Sequence, residues 1–260
     1  MEFRNNHNIF FLLPVAILAF ALVLGQTPAN ADTQPDNFQT DNSIYTDLLQ
    51  QYVKGKRVNY DGFKKDEARL DNYLAVLSSI DTDALSHNSR FAFYINVYNA
   101  FTIKLILTRY PGINSIKEIG SFFSNPWSKK FIPLKGRNVS LDHIENDILR
   151  PVFKDPRIHF AINCASKSCP PLLNHAYEGD ILDAQLDSQT RAFINNRKNI
   201  FLQGNALFVS KIFQWFKDDF GDKPLLFIRQ YASDEFQKEL DKAGREIKFS
   251  YNNYDWTLNR

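Results

Sequence analysis

The sequence predicts an α+β fold in a single domain: a central buried helix and several amphipathic helices packed on a small, mainly antiparallel sheet with hairpins. Three observations carry this expectation. The stretch RFAFYINVYNAFTIKLILTRY is apolar on all its sides, as a helix in the middle of a core must be. Apolar residues recur at helical spacing in several flanking segments. Two apolar stretches are each broken by a turn pair, Lys135-Gly136 and Gly204-Asn205, in the manner of hairpins.

Taken in order, Ile44, Leu48, Leu49 and Tyr52 mark a short amphipathic helix, and Val58-Asn59-Tyr60 an extended piece before a turn at Asp61-Gly62. A helix over residues 64–79 presents Leu70, Tyr73, Leu74 and Leu77 on one face. Asn88 or Ser89 caps the central helix, which Pro111 and Gly112 stop. After the hairpin KFIPLKGRNVSL, Ser140 caps the helix LDHIENDILR, with Pro151 as its end. Residues 157–164 read as a strand, 180–195 as a helix and IFLQGNALFVS as the second hairpin. Ser210 caps KIFQWFKDDF, closed by Gly221; helices over 225–231 and 234–243 follow, and a final strand, REIKFSYNNYDW.

Composition bounds the function. The 260 residues are 44% hydrophobic with 23 phenylalanines, enough for a sizeable core. A formal net charge of +2, with its basic residues scattered, gives no basis for nucleic-acid binding, and the cluster Lys54–Arg57 reads as a solvated turn. Arg4 and His7 precede an apolar run from Ile9 to Leu24, then Ala29-Asn30-Ala31. That is the pattern of a Sec-type signal peptide over residues 1–31, cleaved after Ala31, with an uncleaved anchor as the alternative. Residues 32–43 form a polar leader, and residues 44–260 hold the domain with no further membrane span. The expected location is periplasmic or extracellular.

The stretch RIHFAINCASKSCPPL, residues 157–172, holds both cysteines. As a strand it places Arg157, His159, Ala161 and Asn163 on one face. Cys164 and Cys169 admit three readings: a disulfide, suited to an exported chain; a thiol nucleophile at Cys164 with His159 or His143 as base; or a metal site. The third is weak, because the spacing is not CxxC and no HxxxH accompanies it. No metal and no cofactor is therefore assigned, and no partner is identified. His143, near a helix N-terminus, suits a neutral base, and HxE on a helix is not a metal pair. Asn96 and Asn99 lie three apart on the central helix, where each amide must find partners by bracing backbone or by lining a site with Asn163.

The segments FAFYINVYNAFTIKLIL, SLDHIENDILR, DPRIHFAINCASKSCPPL, VSKIFQWFKDDFG and YDWTLN, in this order, resemble the family called domain of unknown function 547, over about Tyr45 to Asn259. The resemblance implies an exported bacterial member of a family without an established activity, so it assigns no catalytic residues. The matching segments add Lys211, Trp215 and Asp219 as candidate ligand-binding residues beside Asn96, Asn99 and Asn163. Two functions are expected to compete: a thiol-dependent hydrolase or transferase of the cell envelope, and a non-catalytic ligand-binding or scaffold module stapled by Cys164–Cys169.

Overall fold

In the computed structural model, residues 40–120, 125–221, 223–244 and 246–260 are described. The expected signal peptide and residues 32–39 of the leader lie outside them. Asp36–Arg260 forms one compact unit. Its organising element is α4, His87–Leu107, in which every residue from Phe91 to Ile103 is buried. That burial explains why the helix shows no apolar stripe: it has no solvent face to leave polar. The cap is Ser86 rather than Asn88 or Ser89, its Oγ accepting from the Ser89 N–H.

The helices around it follow their apolar faces. α1 (Ser43–Tyr52) packs on α3 (Glu67–Ser79), and α3 on α4. Residues 64–79 divide into two helices, because Asn59 caps a short α2 (Tyr60–Lys65) whose last carbonyls close on Asp66. Two short antiparallel hairpins form, β1–β2 (Val53–Lys54, Arg57–Val58) and β3–β4 (Ile132–Leu134, Arg137–Val139). The third sheet is mixed. β5 (Phe201–Gln203) pairs antiparallel with β6 (Ala206–Val209), and β7 (Lys248–Tyr251) adds parallel to β6. The expected final strand is therefore only its first part, and residues 252–260 leave the sheet as a tail.

Three local expectations give way. The helix after Ser140 does not end at Pro151; it runs as a π-helix over His143–Phe153 with Pro151 inside. A proline ring collides with the carbonyl four residues back in an α-helix, and the wider π turn moves that carbonyl aside. KIFQWFKDDF is two short pieces, a helical turn over Ile212–Trp215 and a 3-10 turn over Lys217–Phe220, before Gly221 in the left-handed region. The third correction matters most. Residues 157–164 are not a strand: Ile158–Ala161 is one helical turn, α5, and the chain extends only after it.

Among the described residues no strand pairs with residues 157–164, and their backbone groups are satisfied locally. The Ile158, His159 and Phe160 N–H groups donate to the carbonyls of Asp155, Pro156 and Arg157. At the end of the turn Asn99 takes over, its Nδ2 donating to the Ala161 carbonyl (3.0 Å) and its Oδ1 accepting from the Asn163 N–H (2.8 Å). Asn96 does the same at Tyr177, with bonds of 2.8 and 2.9 Å to its carbonyl and N–H. Both amides thus brace backbone, and neither lines the candidate cleft described below.

The turn lies between two cores. Ile158, Ala161 and Ile162 belong to the one built around α4. Phe160 points into a second, Phe-rich core with Phe193, Phe213, Phe220 and Phe236. Among the described residues no helix is long and apolar enough to cross a membrane.

Asn99→Ala removes both partners of a fully buried carbonyl and N–H. The expected loss of stability is roughly 2–4 kcal/mol, measured by denaturant unfolding; a loss below about 0.5 kcal/mol would show that the brace is not structural.

Candidate functional site

The extended residues after α5 lead into a tight loop. Asn163 ties it, its Nδ2 donating to the Pro170 carbonyl (2.6 Å) and its Oδ1 accepting from the Ala165 N–H (2.8 Å). Ala165 sits at φ 64°, a conformation that costs an L residue with a Cβ about 1–2 kcal/mol. The C-terminal tail holds it there. The Asn259 N–H donates to the Ala165 carbonyl, the Lys167 N–H to the Thr257 carbonyl, and Ser166 bridges Leu258. Within this loop Cys164 and Cys169 form a disulfide, with Cα atoms 6.2 Å apart, and no cysteine is free.

One cleft of about 230 Å3 opens beside the disulfide. Its walls include all three tryptophans of the chain, Trp127, Trp215 and Trp256, which come from three distant segments. Trp256 is the hinge of the group, with ring centroids 5.7 Å from both Trp127 and Trp215 and 4.6 Å from Tyr254. The Lys117 Nζ stands 3.8 Å over the Trp256 ring. Trp215 is 44% exposed, although a ring of that size ordinarily buries itself.

The floor is ionisable. His159 lines the cleft yet is 3% exposed, stacked on Phe216 with centroids 4.0 Å apart. Its Nε2 meets Asp219 Oδ2 at 2.7 Å, while its Nδ1 is buried and has no hydrogen-bond partner among the described residues. Arg150 grips the same carboxylate through Nε at 2.6 Å and a second guanidinium nitrogen at 3.0 Å. Burial works against the Asp219 charge, but the His159 and Arg150 hydrogen bonds outweigh it and hold the carboxyl well below the usual range. Burial also pushes His159 down, partly offset by Asp219. With Asp219 ionised and the ring neutral, Nε2 carries the proton and Nδ1 keeps a free lone pair.

Glu145 has the opposite setting. It is buried in the cleft wall, and burial raises its carboxyl to about 7, against the pull of a Tyr98 hydrogen bond and the Arg150 charge. Asp142, also in the wall, is raised by burial and then by Asp147. Among the described residues no group of three or more His, Cys, Asp and Glu side chains could hold a metal ion.

The expected site residues therefore separate. His159, Cys164 and Trp215 line the cleft with Cys169, and Asp219 stands directly behind His159. Asn163 positions the loop from within the core. His143 is not in the cleft: its Nδ1 pairs with Asp147 Oδ2 at 2.6 Å, in a neighbouring depression with Lys130 and Arg137. Lys211 lines a different depression among Lys56, Lys167 and Lys198.

Glu145, Tyr98, Tyr254 and Trp256 were not singled out by sequence reasoning. The offset that turns Glu145 away from His143 is what directs it into the cleft. A carboxylate between Ile144 and Leu149, on the buried side of its helix, was the signal available.

Residues 82–194 match the family model described as Protein of unknown function, DUF547. Over that segment the chain is similar to DUF547. The matched segment supplies α4, the π-helix with Glu145, His159 and both cysteines, whereas Trp215, Asp219, Tyr254 and Trp256 come from beyond it. No curated protein and no solved structure matches the chain.

Glu145 binds its proton more tightly folded than unfolded. It therefore stabilises the fold below its ordinary 4.5, and that contribution is lost as pH rises through about 7. Glu145→Gln keeps the shape without the charge. Its melting temperature is expected to exceed the native protein's by several degrees at pH 8, with the gap closing towards pH 5. An equal gap at both pH values would refute the assignment.

Proposed function

We propose that the cleft is an active site for proton-transfer chemistry on a small substrate held between the tryptophans. The observation carrying this reading is His159, a residue of the wall that also holds Glu145: one ring nitrogen is committed to Asp219, and the other is buried and has no hydrogen-bond partner among the described residues. An imidazole oriented by a carboxylate is the arrangement of a general base. A second carboxyl titrating near neutrality is suited to act as general acid. Opposed environments for nearby titratable groups are a recurrent mark of catalytic clefts. Indole faces offer stacking area for a planar or cationic substrate group.

Hydrolysis or group transfer is the reaction class these parts suit. A thiol-dependent version needs the Cys164 thiol, which the disulfide withholds. A second reading, a non-catalytic ligand-binding module stapled by the disulfide, is favoured by the gathering of every tryptophan at one cleft. Export fits both, since disulfides persist in oxidising compartments. We read residues 1–31 as the signal that directs it, so sequencing of the exported protein is expected to begin at Asp32.

The test uses p-nitrophenyl esters and amides, before and after mild reduction. His159→Ala is expected to lower turnover roughly 100- to 10,000-fold, with near-UV circular dichroism confirming that the variant is folded. Turnover equal to the native protein's in both His159→Ala and Glu145→Gln would overturn the catalytic reading. Saturable quenching of tryptophan emission, without turnover, would then support the binding module.

A further inference from the structure

The two sulfurs of the disulfide are placed unequally. Both cysteines line the cleft, but Cys164 is partly exposed whereas Cys169 is buried at 5% exposure. Cys169 Sγ accepts the Cys164 backbone N–H at 2.9 Å and the Tyr254 hydroxyl at 3.3 Å. Among the described residues the Cys164 sulfur has no N–H donor; Ser166 Oγ and Tyr254 OH are each 3.4 Å away. The pair sits on a loop that carries Ala165 in the left-handed region. Strain of that kind collects at sites that react.

Thiol–disulfide exchange requires an accessible sulfur to attack and a partner able to leave as thiolate. We propose that Cys164–Cys169 is an exchange site for thiols entering the cleft, with Cys164 as the attacked sulfur and Cys169 as the leaving one. The incoming thiol gives its proton to His159 Nδ1, and its sulfur lone pair forms a bond to Cys164 Sγ. The Cys164–Cys169 bond breaks with its electron pair on Cys169, whose thiolate the Cys164 N–H and the Tyr254 hydroxyl stabilise. A second thiol attacks the substrate sulfur of the mixed disulfide, breaking its bond to Cys164, which leaves as a thiolate and takes up a proton. Two thiols are then oxidised to one disulfide, and the protein disulfide is reduced to two thiols. This activity uses the cleft and the His159 base of the proposed active site, but it does not depend on that site turning over an ester or amide.

The test uses the full chain purified with its disulfide intact. Glutathione and dithiothreitol are the thiols, and released thiols are counted under native conditions. Reduction is expected to proceed without unfolding, and Tyr254→Phe is expected to slow it about three- to tenfold, because the leaving thiolate loses a donor. In reduced protein, thiolate absorbance should show that Cys169 ionises at lower pH than Cys164, and the Tyr254→Phe change should raise the Cys169 value. Cys169→Ser should take up one glutathione at Cys164 from glutathione disulfide. Reduction no faster than global unfolding, or an unchanged rate in Tyr254→Phe with native circular dichroism, would overturn the proposal. Exchange that persists where ester and amide turnover is absent would uphold it and refute the catalytic reading alone.

Discussion

The Asn99 side chain is the constraint on which the site depends. One amide on the central helix satisfies the last carbonyl of a helical turn and the first N–H of the extended residues that follow. A core cannot leave those groups unpaired without a cost of a few kcal/mol, so the path of the chain at Ala161–Asn163 is fixed by α4. Asn163 carries the constraint onward to Ala165, Pro170 and Asn259. Asn259 closes it, receiving the Tyr60 hydroxyl on its side chain and the Val58 N–H on its carbonyl. Amides with one donor and one acceptor end suit this task, because each can meet a carbonyl and an N–H at once.

The electrostatics of the cleft come from the same packing. Asp219 and Glu145 are both carboxylates behind aromatic walls, and their settings differ in their partners. Asp219 faces a guanidinium through two nitrogens and an imidazole N–H, and the charged form prevails. Glu145 has a phenol and a more distant Arg150 charge, and burial prevails. Arg150 acts on both because it shares the π-helix with Glu145 and pairs with Asp219 in the 3-10 turn over Lys217–Phe220.

Much of this was legible in the sequence wherever the local signal and the tertiary outcome agree. The all-apolar central helix, both hairpins with their turn pairs, the helix over 182–194 and the α+β class follow from periodicity and turn chemistry. Residues 157–164 misled because alternation of apolar and polar residues suits a strand. A single helical turn wedged between two cores also needs side chains pointing opposite ways, and Phe160 and Ile158 go to different cores. His159, Cys164, Trp215 and Asp219 did converge on one place, while His143 and Lys211 did not. Spacing along one helix cannot report which depression that helix borders. Tyr254 and Trp256 escaped because nothing local marks a tail residue as the wall of a cleft formed elsewhere.

The tail carries an implication for the order of synthesis. Trp256 is the ring on which both other tryptophans converge, and residues 255–259 clamp the disulfide loop. Both cysteines precede that segment in the chain, while Tyr254 and Trp256 within or beside it form part of the cleft wall. The wall is therefore incomplete until the tail has been made and has docked, and a chain cut short before Tyr254 would keep its cysteine pair without a complete cleft.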